Sequence, residues 1–118
     1  PLPATRPVGP PLPGKGSFAP LPAIGDSAVI DALGFGAACL RFAPSLLDPL
    51  KPHINDAYTS ISAHDAYLGA HPAFPYPGLK LGLDLTQPRQ CLGIMLGMVE
   101  ETGAEGLIGR GVASWPSA

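Results

Sequence analysis

Ile24 to Pro44, reading IGDSAVIDALGFGAACLRFAP, is the stretch whose reading decides the fold. Gly25 is a turn residue, Asp26 and Ser27 are good N-cap side chains, and the chain then runs apolar until Pro44 stops it. Val29, Ile30, Leu33, Leu40 and Phe42 supply bulk, whereas Ala28, Ala32, Gly34, Gly36, Ala37 and Ala38 supply almost none. A helix apolar on nearly all sides is a central, buried one, so the pattern predicts a long interior helix with only Asp31 and Arg41 turned to water or a salt bridge. Gly34 and Gly36 each cost helix propensity, about 1 kcal/mol against alanine, which points to close packing or a helix irregularity at that place. Asp26 and Ser27 lie beside the unpaired N–H groups of the first turn, where an anion or polar substrate group can be held; they read equally as plain caps.

Working outward, residues 1–23 hold eight of the sixteen prolines, with Gly9, Gly14 and Gly16 between them. Such a segment is neither helix nor central strand and is expected to be an extended arm, partly polyproline II. Pro10 to Lys15 also fits the P-x-x-P-x-basic pattern of peptides that SH3-type grooves read, a pattern common by chance.

Past Pro44, the run through Pro52 is a proline-broken connector. Ile54, Ala57, Tyr58, Ile61 and Leu68 then fall on one helical face, so the spacing predicts a second helix over 53–68 ending at Gly69. His64 lies on that apolar stripe, as a packed histidine would. His53, His64 and His71 are 11 and 7 positions apart, which is not the short spacing of a metal site, and no metal is expected. His71 to Gly78 is an aromatic, proline-rich loop of the kind that carries function. Leu79 to Thr86 alternates with period two, four leucines to one face, and predicts the best strand of the chain. Pro88 opens a predicted last helix whose stripe is Cys91 or Leu92, Met95, Leu96 and Val99, closed by Thr102-Gly103. The glycine-punctuated remainder reads as a loop running into a short strand; Gly106 to Gly111 lacks the pattern of a phosphate loop, so no cofactor is expected. The expected architecture is α+β, mainly helical with a small sheet: a proline-rich arm over 1–23 and one domain over 24–118.

Composition narrows the partners. The 118 residues are one domain's worth, 46% hydrophobic and only 14% charged, which is short of surface charge for a free monomer and suggests that something covers part of the surface. Seven Lys plus Arg against nine Asp plus Glu give a net charge of -2, with no basic field for nucleic acid or anionic lipid. No apolar run is long enough to span a membrane and no leader pattern is present, so a cytoplasmic placement is expected. Cys39 and Cys91 sit in apolar patterns and read as buried thiols. A start at Pro1 reads as a piece of something longer or a separately made subunit.

One ordered set of residues resembles a known family. Pro22 to Val29, the small-residue helix ending at Ala43-Pro44, Tyr67-Leu68-Gly69 followed by Pro72-Ala73-Phe74, Pro77-Gly78-Leu79, Gly82-Leu83-Asp84 and the closing glycine-rich run through Gly111 occur in an order similar to the C-terminal part of the YlbE-like bacterial proteins. That family includes a subunit of oxamate carbamoyltransferase, which acts in anaerobic allantoin breakdown. The resemblance spans about residues 17 to 116 and departs between Gly93 and Gly109, where the family's longer loop, with its histidine and lysine, is shortened.

The resemblance implies transfer of a carbamoyl group between phosphate and the nitrogen of oxamate, a small anionic substrate, in a complex with other subunits or further copies. Such a transfer needs N–H and cationic donors and no covalent nucleophile. It would place Gly25, Asp26 and Ser27 at the substrate anion. Arg110, with Arg89 as its alternative, would pair with carboxylate or phosphate, and Asp26 and Asp84 would orient these donors. No catalytic residue is implied. A non-catalytic assembly module, whose arm and apolar elements complete a partner's fold, is the competing expectation.

Overall fold

The computed structural model describes residues 5–54, 66–86 and 93–115. Helix α1, Ser27–Leu33, begins after Asp26 and is stopped by Gly34, whose φ of 106° lets its N–H reach back to the Ile30 and Asp31 carbonyls. A short 3-10 helix, Ala37–Phe42, follows, and Pro44 then opens α2, Pro44–Leu47, at the position where its missing N–H costs nothing. Four strands complete the regular structure: β1, Tyr67–Gly69; β2, Leu81–Leu83; β3, Gly93–Val99; β4, Leu107–Ser114. They form two antiparallel pairs, β1 with β2 (Tyr67 opposite Leu83) and β3 with β4 (Gly93 opposite Ser114, Gly97 opposite Arg110).

The proline-rich segment belongs to the fold. Val8 exchanges both backbone hydrogen bonds with Val112, at 3.0 and 2.9 Å, and the Leu12 N–H reaches the Ile108 carbonyl at 2.7 Å. The chain turns near Lys15 and returns on the other side of the β3–β4 hairpin, where Leu21 donates to Val99 at 2.7 Å. Ala23 then donates to Thr5 at 2.8 Å, so the segment meets itself. Proline suits this role because an edge position asks for few N–H donors, and the wrap leaves much of the hairpin's edges covered. Gly9, Gly109 and Gly111 make the fit possible: a Cβ on Gly111 would lie 2.6 Å from the Val8 carbonyl oxygen, and one on Gly109 only 3.0 Å from the Pro11 Cα. Lys15 pairs with Glu105 at 2.6 Å and Arg6 with Glu101 at 3.2 Å across the same wrap.

Ala37, Leu40, Leu50 and Val112 are the fully enclosed apolar centre, joined by Met95 and Ile54; Ala38, Ala66 and Tyr67 form a second cluster with Leu83 and Trp115.

The sequence pattern predicted a mainly helical α+β fold, and the structure overturns that expectation. The described helices are three short ones, and antiparallel strands make up more of the chain than they do. The expected interior helix over 24–44 breaks at Gly34 and Gly36, and α1 lies at the surface with Val29, Ile30 and Leu33 59%, 51% and 51% exposed. Asp31, expected in water or a salt bridge, is the buried residue of that helix at 1% exposure, its carboxylate bonded to backbone N–H groups. The expected helix over 88–102 is strand β3 where it is described, from Gly93 on. Of the expected helix 53–68, residues 55–65 lie outside the described residues, and Tyr67–Gly69 is a strand. The alternation over 79–86 is a strand only at Leu81–Leu83, and Leu85 is exposed. His64, Arg89 and Cys91 also lie outside the described residues. Among the described residues, no helix is long and apolar enough to cross a membrane.

Candidate functional site

Two hollows and one buried cluster each gather side chains that could carry chemistry. The larger hollow, about 710 Å³ and open at its mouth, lies between the end of α1, the β1–β2 pair and the loop that joins them. Leu33, Phe35, Leu68, His71, Phe74 and Leu81 line it, and Gly69, Ala70 and Gly82 bring backbone to its surface. The sequence builds this wall locally. Gly34 turns the chain so closely against β2 that a Cβ there would lie 3.0 Å from the Lys80 carbonyl oxygen, and the turn delivers Phe35 to the Phe74 ring. The two rings meet edge to face at 4.9 Å and 64°, a favourable aromatic arrangement.

The loop from Ala70 to Lys80 is held from its other side. Phe42 meets Tyr76 edge to face at 5.0 Å, and the Arg41 guanidinium lies over the Phe42 ring and donates to the Gly78 carbonyl at 2.8 Å. His71 closes a turn on Phe74, and its Nδ1 accepts the Ala73 N–H at 3.1 Å. With Nδ1 occupied as an acceptor, the neutral ring carries its proton on Nε2.

The smaller hollow, about 110 Å³, is lined by Gly25 and Ser27 together with Thr5 and Ser114 among others. It brings two of the sequence-predicted residues together. Asp26 precedes them at the start of α1 and makes no side-chain cap hydrogen bond. The other two lie elsewhere. Arg110 is four positions from Ser114 along β4, about 13 Å at strand rise, and its guanidinium donates to the Leu46 carbonyl at 2.9 Å. The Asp84 carboxylate accepts both the N–H and the hydroxyl of Thr86, at 2.9 and 2.6 Å.

The buried cluster centres on Asp31. Its carboxylate accepts the Ala37 N–H at 2.6 Å and the Met95 N–H at 3.0 Å, and its backbone carbonyl accepts the Tyr67 hydroxyl at 2.9 Å. Burial pushes the Asp31 carboxyl up to about 6, against the pull of those two N–H donors. Burial first, and the Asp31 charge second, push Tyr67 up to about 12. The Cys39 thiol donates to the Gly34 carbonyl at 2.7 Å and is pushed up by burial, with Arg41 opposing and Asp31 adding. With every carboxylate oxygen committed to backbone, this cluster ties α1, the 3-10 helix, β1 and β3 together.

No protein-family model, curated protein or solved structure matches the chain. Among the described residues no group of three or more His, Cys, Asp or Glu could hold a metal ion. Sequence reasoning picked out the His71 to Gly78 loop as a place for function, but missed Leu33, Phe35 and Leu68. Helical periodicity assigned Leu33 and Leu68 to a core.

Proposed function

We propose that the chain is a non-catalytic assembly module that pairs with a second copy of itself through the outer face of α1. The observation that carries this reading is the exposure of Val29, Ile30 and Leu33 side by side on one helix, with Ile24 exposed just before it. Positions 29, 30 and 33 share a face, and the one acidic residue between them, Asp31, is turned inward. Each such side chain gains about 1.5–3 kcal/mol when fully taken from water, and an uncharged face meets its own copy at no electrostatic cost. The low charged fraction of the whole chain supports the same reading.

Carbamoyl transfer, implied by the family resemblance, would require Ser27 at a substrate anion or amide and Arg110 at a carboxylate or phosphate of the same site. Ser27 lines the small hollow, and Arg110 is engaged with Leu46. The assembly half of that expectation draws support from α1; the transfer half draws none from these two residues.

Sedimentation velocity on the full chain tests the proposal. The expected result is a dimer for the wild type at about 100 μM, and a monomer with an unchanged circular dichroism spectrum for Ile30→Asp. A wild type that sediments as a monomer across that range overturns it.

A further inference from the structure

The large hollow has a chemical character that the assembly reading does not use. Its volume, about 710 Å³, is that of a site for a small organic molecule. Phe35 and Phe74 form an aromatic wall, Leu33, Leu68 and Leu81 supply the aliphatic remainder, and among the described residues no charged side chain lines it. Among the described residues one polar side chain lines it. His71 has Nδ1 engaged by the Ala73 N–H, which leaves the Nε2–H of its neutral ring as a donor.

We infer that this hollow binds a small neutral compound with an aromatic or branched apolar body and one carbonyl oxygen. The body packs on Phe35, Phe74 and the leucines, and the carbonyl oxygen accepts from His71 Nε2. A carboxylate is disfavoured because no cation among the described residues lines the hollow to offset its lost hydration. A purely apolar compound forgoes the one directional contact. Gly69, Ala70 and Gly82 let the ligand approach backbone closely, and a Cβ added at Gly69 would meet open space.

The probes are acetophenone, which has the ring and the carbonyl; ethylbenzene, which lacks the acceptor; and benzoate, which adds the charge. Each is titrated into the 15N-labelled full chain while the amide resonances of Gly69, Ala70 and Gly82 are followed. Acetophenone is expected to give saturable shifts with a dissociation constant of about 1 mM or below, tighter than either of the others. His71→Ala is expected to weaken acetophenone about fivefold, the worth of one hydrogen bond, while leaving ethylbenzene unchanged. Ala70→Trp fills the hollow and is expected to abolish the shifts. Leu68→Lys, at a residue 72% exposed and so tolerant of charge, is a second blocking variant should Ala70→Trp fail to fold.

Absence of saturable shifts with acetophenone to about 10 mM overturns the site, and so do equal shifts in both blocking variants. Benzoate binding as tightly as acetophenone, or an equal loss of both neutral probes in His71→Ala, overturns the carbonyl assignment. Leu33 belongs to both surfaces, but Ala70 lies on the hollow alone, so sedimentation of Ala70→Trp as wild type shows that a failure here leaves the α1 contact standing.

Discussion

Asp31 and Met95, 64 positions apart in the chain, are joined by a hydrogen bond of 3.0 Å from the Met95 N–H to the Asp31 carboxylate, which ties α1 to the first strand of the hairpin. The same carboxylate holds the start of the 3-10 helix through Ala37, so one buried side chain fixes three elements. Burial raises its pKa from 3.8 to about 6, meaning that the folded protein prefers the protonated form more than the unfolded chain does. The contribution to stability is therefore complete below about pH 3.8 and is lost as pH rises through about 6. That difference corresponds to about 3 kcal/mol. Glu100 acts in the opposite sense: the Thr102 hydroxyl, and then backbone N–H groups, hold its carboxyl below the usual range, which favours the fold at higher pH. The clean readout is thus a comparison. Relative to Asp31→Asn, the wild type is expected to lose about 3 kcal/mol in urea unfolding between about pH 3.5 and pH 7. Parallel pH profiles for the two proteins would show that Asp31 is not the titrating group.

Gly36 is where Asp31 needs space. A Cβ on Gly36 would overlap the Asp31 carboxylate, which is held in place by the Ala37 and Met95 N–H groups. Gly36→Ala is expected to displace the carboxylate, strand the Ala37 and Met95 N–H groups, and cost about 2–4 kcal/mol. Gly16→Ala, whose Cβ makes only an ordinary 3.6 Å contact with the Pro11 side chain, is expected to stay within about 0.5 kcal/mol of wild type. Similar melting temperatures for the two variants would contradict the packing argument.

The same residues show what was legible in the chain. The prolines of 5–23 excluded helix, and the glycine-rich end was read as running into a strand, because both signals are local: a missing N–H and a missing side chain act on their own neighbours. Gly93–Val99 was misread because all seven of its residues are glycine or apolar, which fits almost any period. Met95, Leu96 and Val99 satisfy a helical stripe as well as a strand. What decides for strand is pairing with residues 107–114, a long-range fact absent from any window. Asp31 failed for a related reason. A lone carboxylate in an apolar run reads as surface until the two N–H groups that accommodate it, one 6 and one 64 positions away, are known. The candidate hollow was half visible, since its aromatic loop stood out, while Phe35 came to it only through the turn at Gly34.

Gly111 tests the wrap. Its Cβ would collide with the Val8 carbonyl, the acceptor of the Val112 N–H, and with the Met98 sulfur at 2.9 Å. Gly111→Ala is expected to push residues 8–12 off β4 without unpairing β3, since Gly111 faces Leu96 in an unbroken stretch of the register. Amide exchange of Val8, Leu12 and Val112 should then rise by about tenfold or more, while amides bonded between β3 and β4 change little. Uniform acceleration across both sets would mean that the wrap and the hairpin open as one unit.

Cys39 provides a chemical reading of the buried cluster. Its thiol donates to the Gly34 carbonyl and is held up chiefly by burial, so the thiolate that reacts with alkylating agents is scarce. Iodoacetamide is expected to modify Cys39 at about pH 8 at least tenfold more slowly than it does the unfolded chain, read on the peptide carrying Cys39. The Asp31 charge adds to that suppression. Asp31→Asn should therefore shift the pH–rate profile of Cys39 toward lower pH. Loss of stability alone also moves the profile toward lower pH, to that of the unfolded thiol, so the comparison is made where urea unfolding shows the open fraction of Asp31→Asn to be too small to carry the reaction. A profile in Asp31→Asn unmoved from wild type would remove Asp31 from the electrostatics of the thiol, leaving burial as the sole cause of its low reactivity.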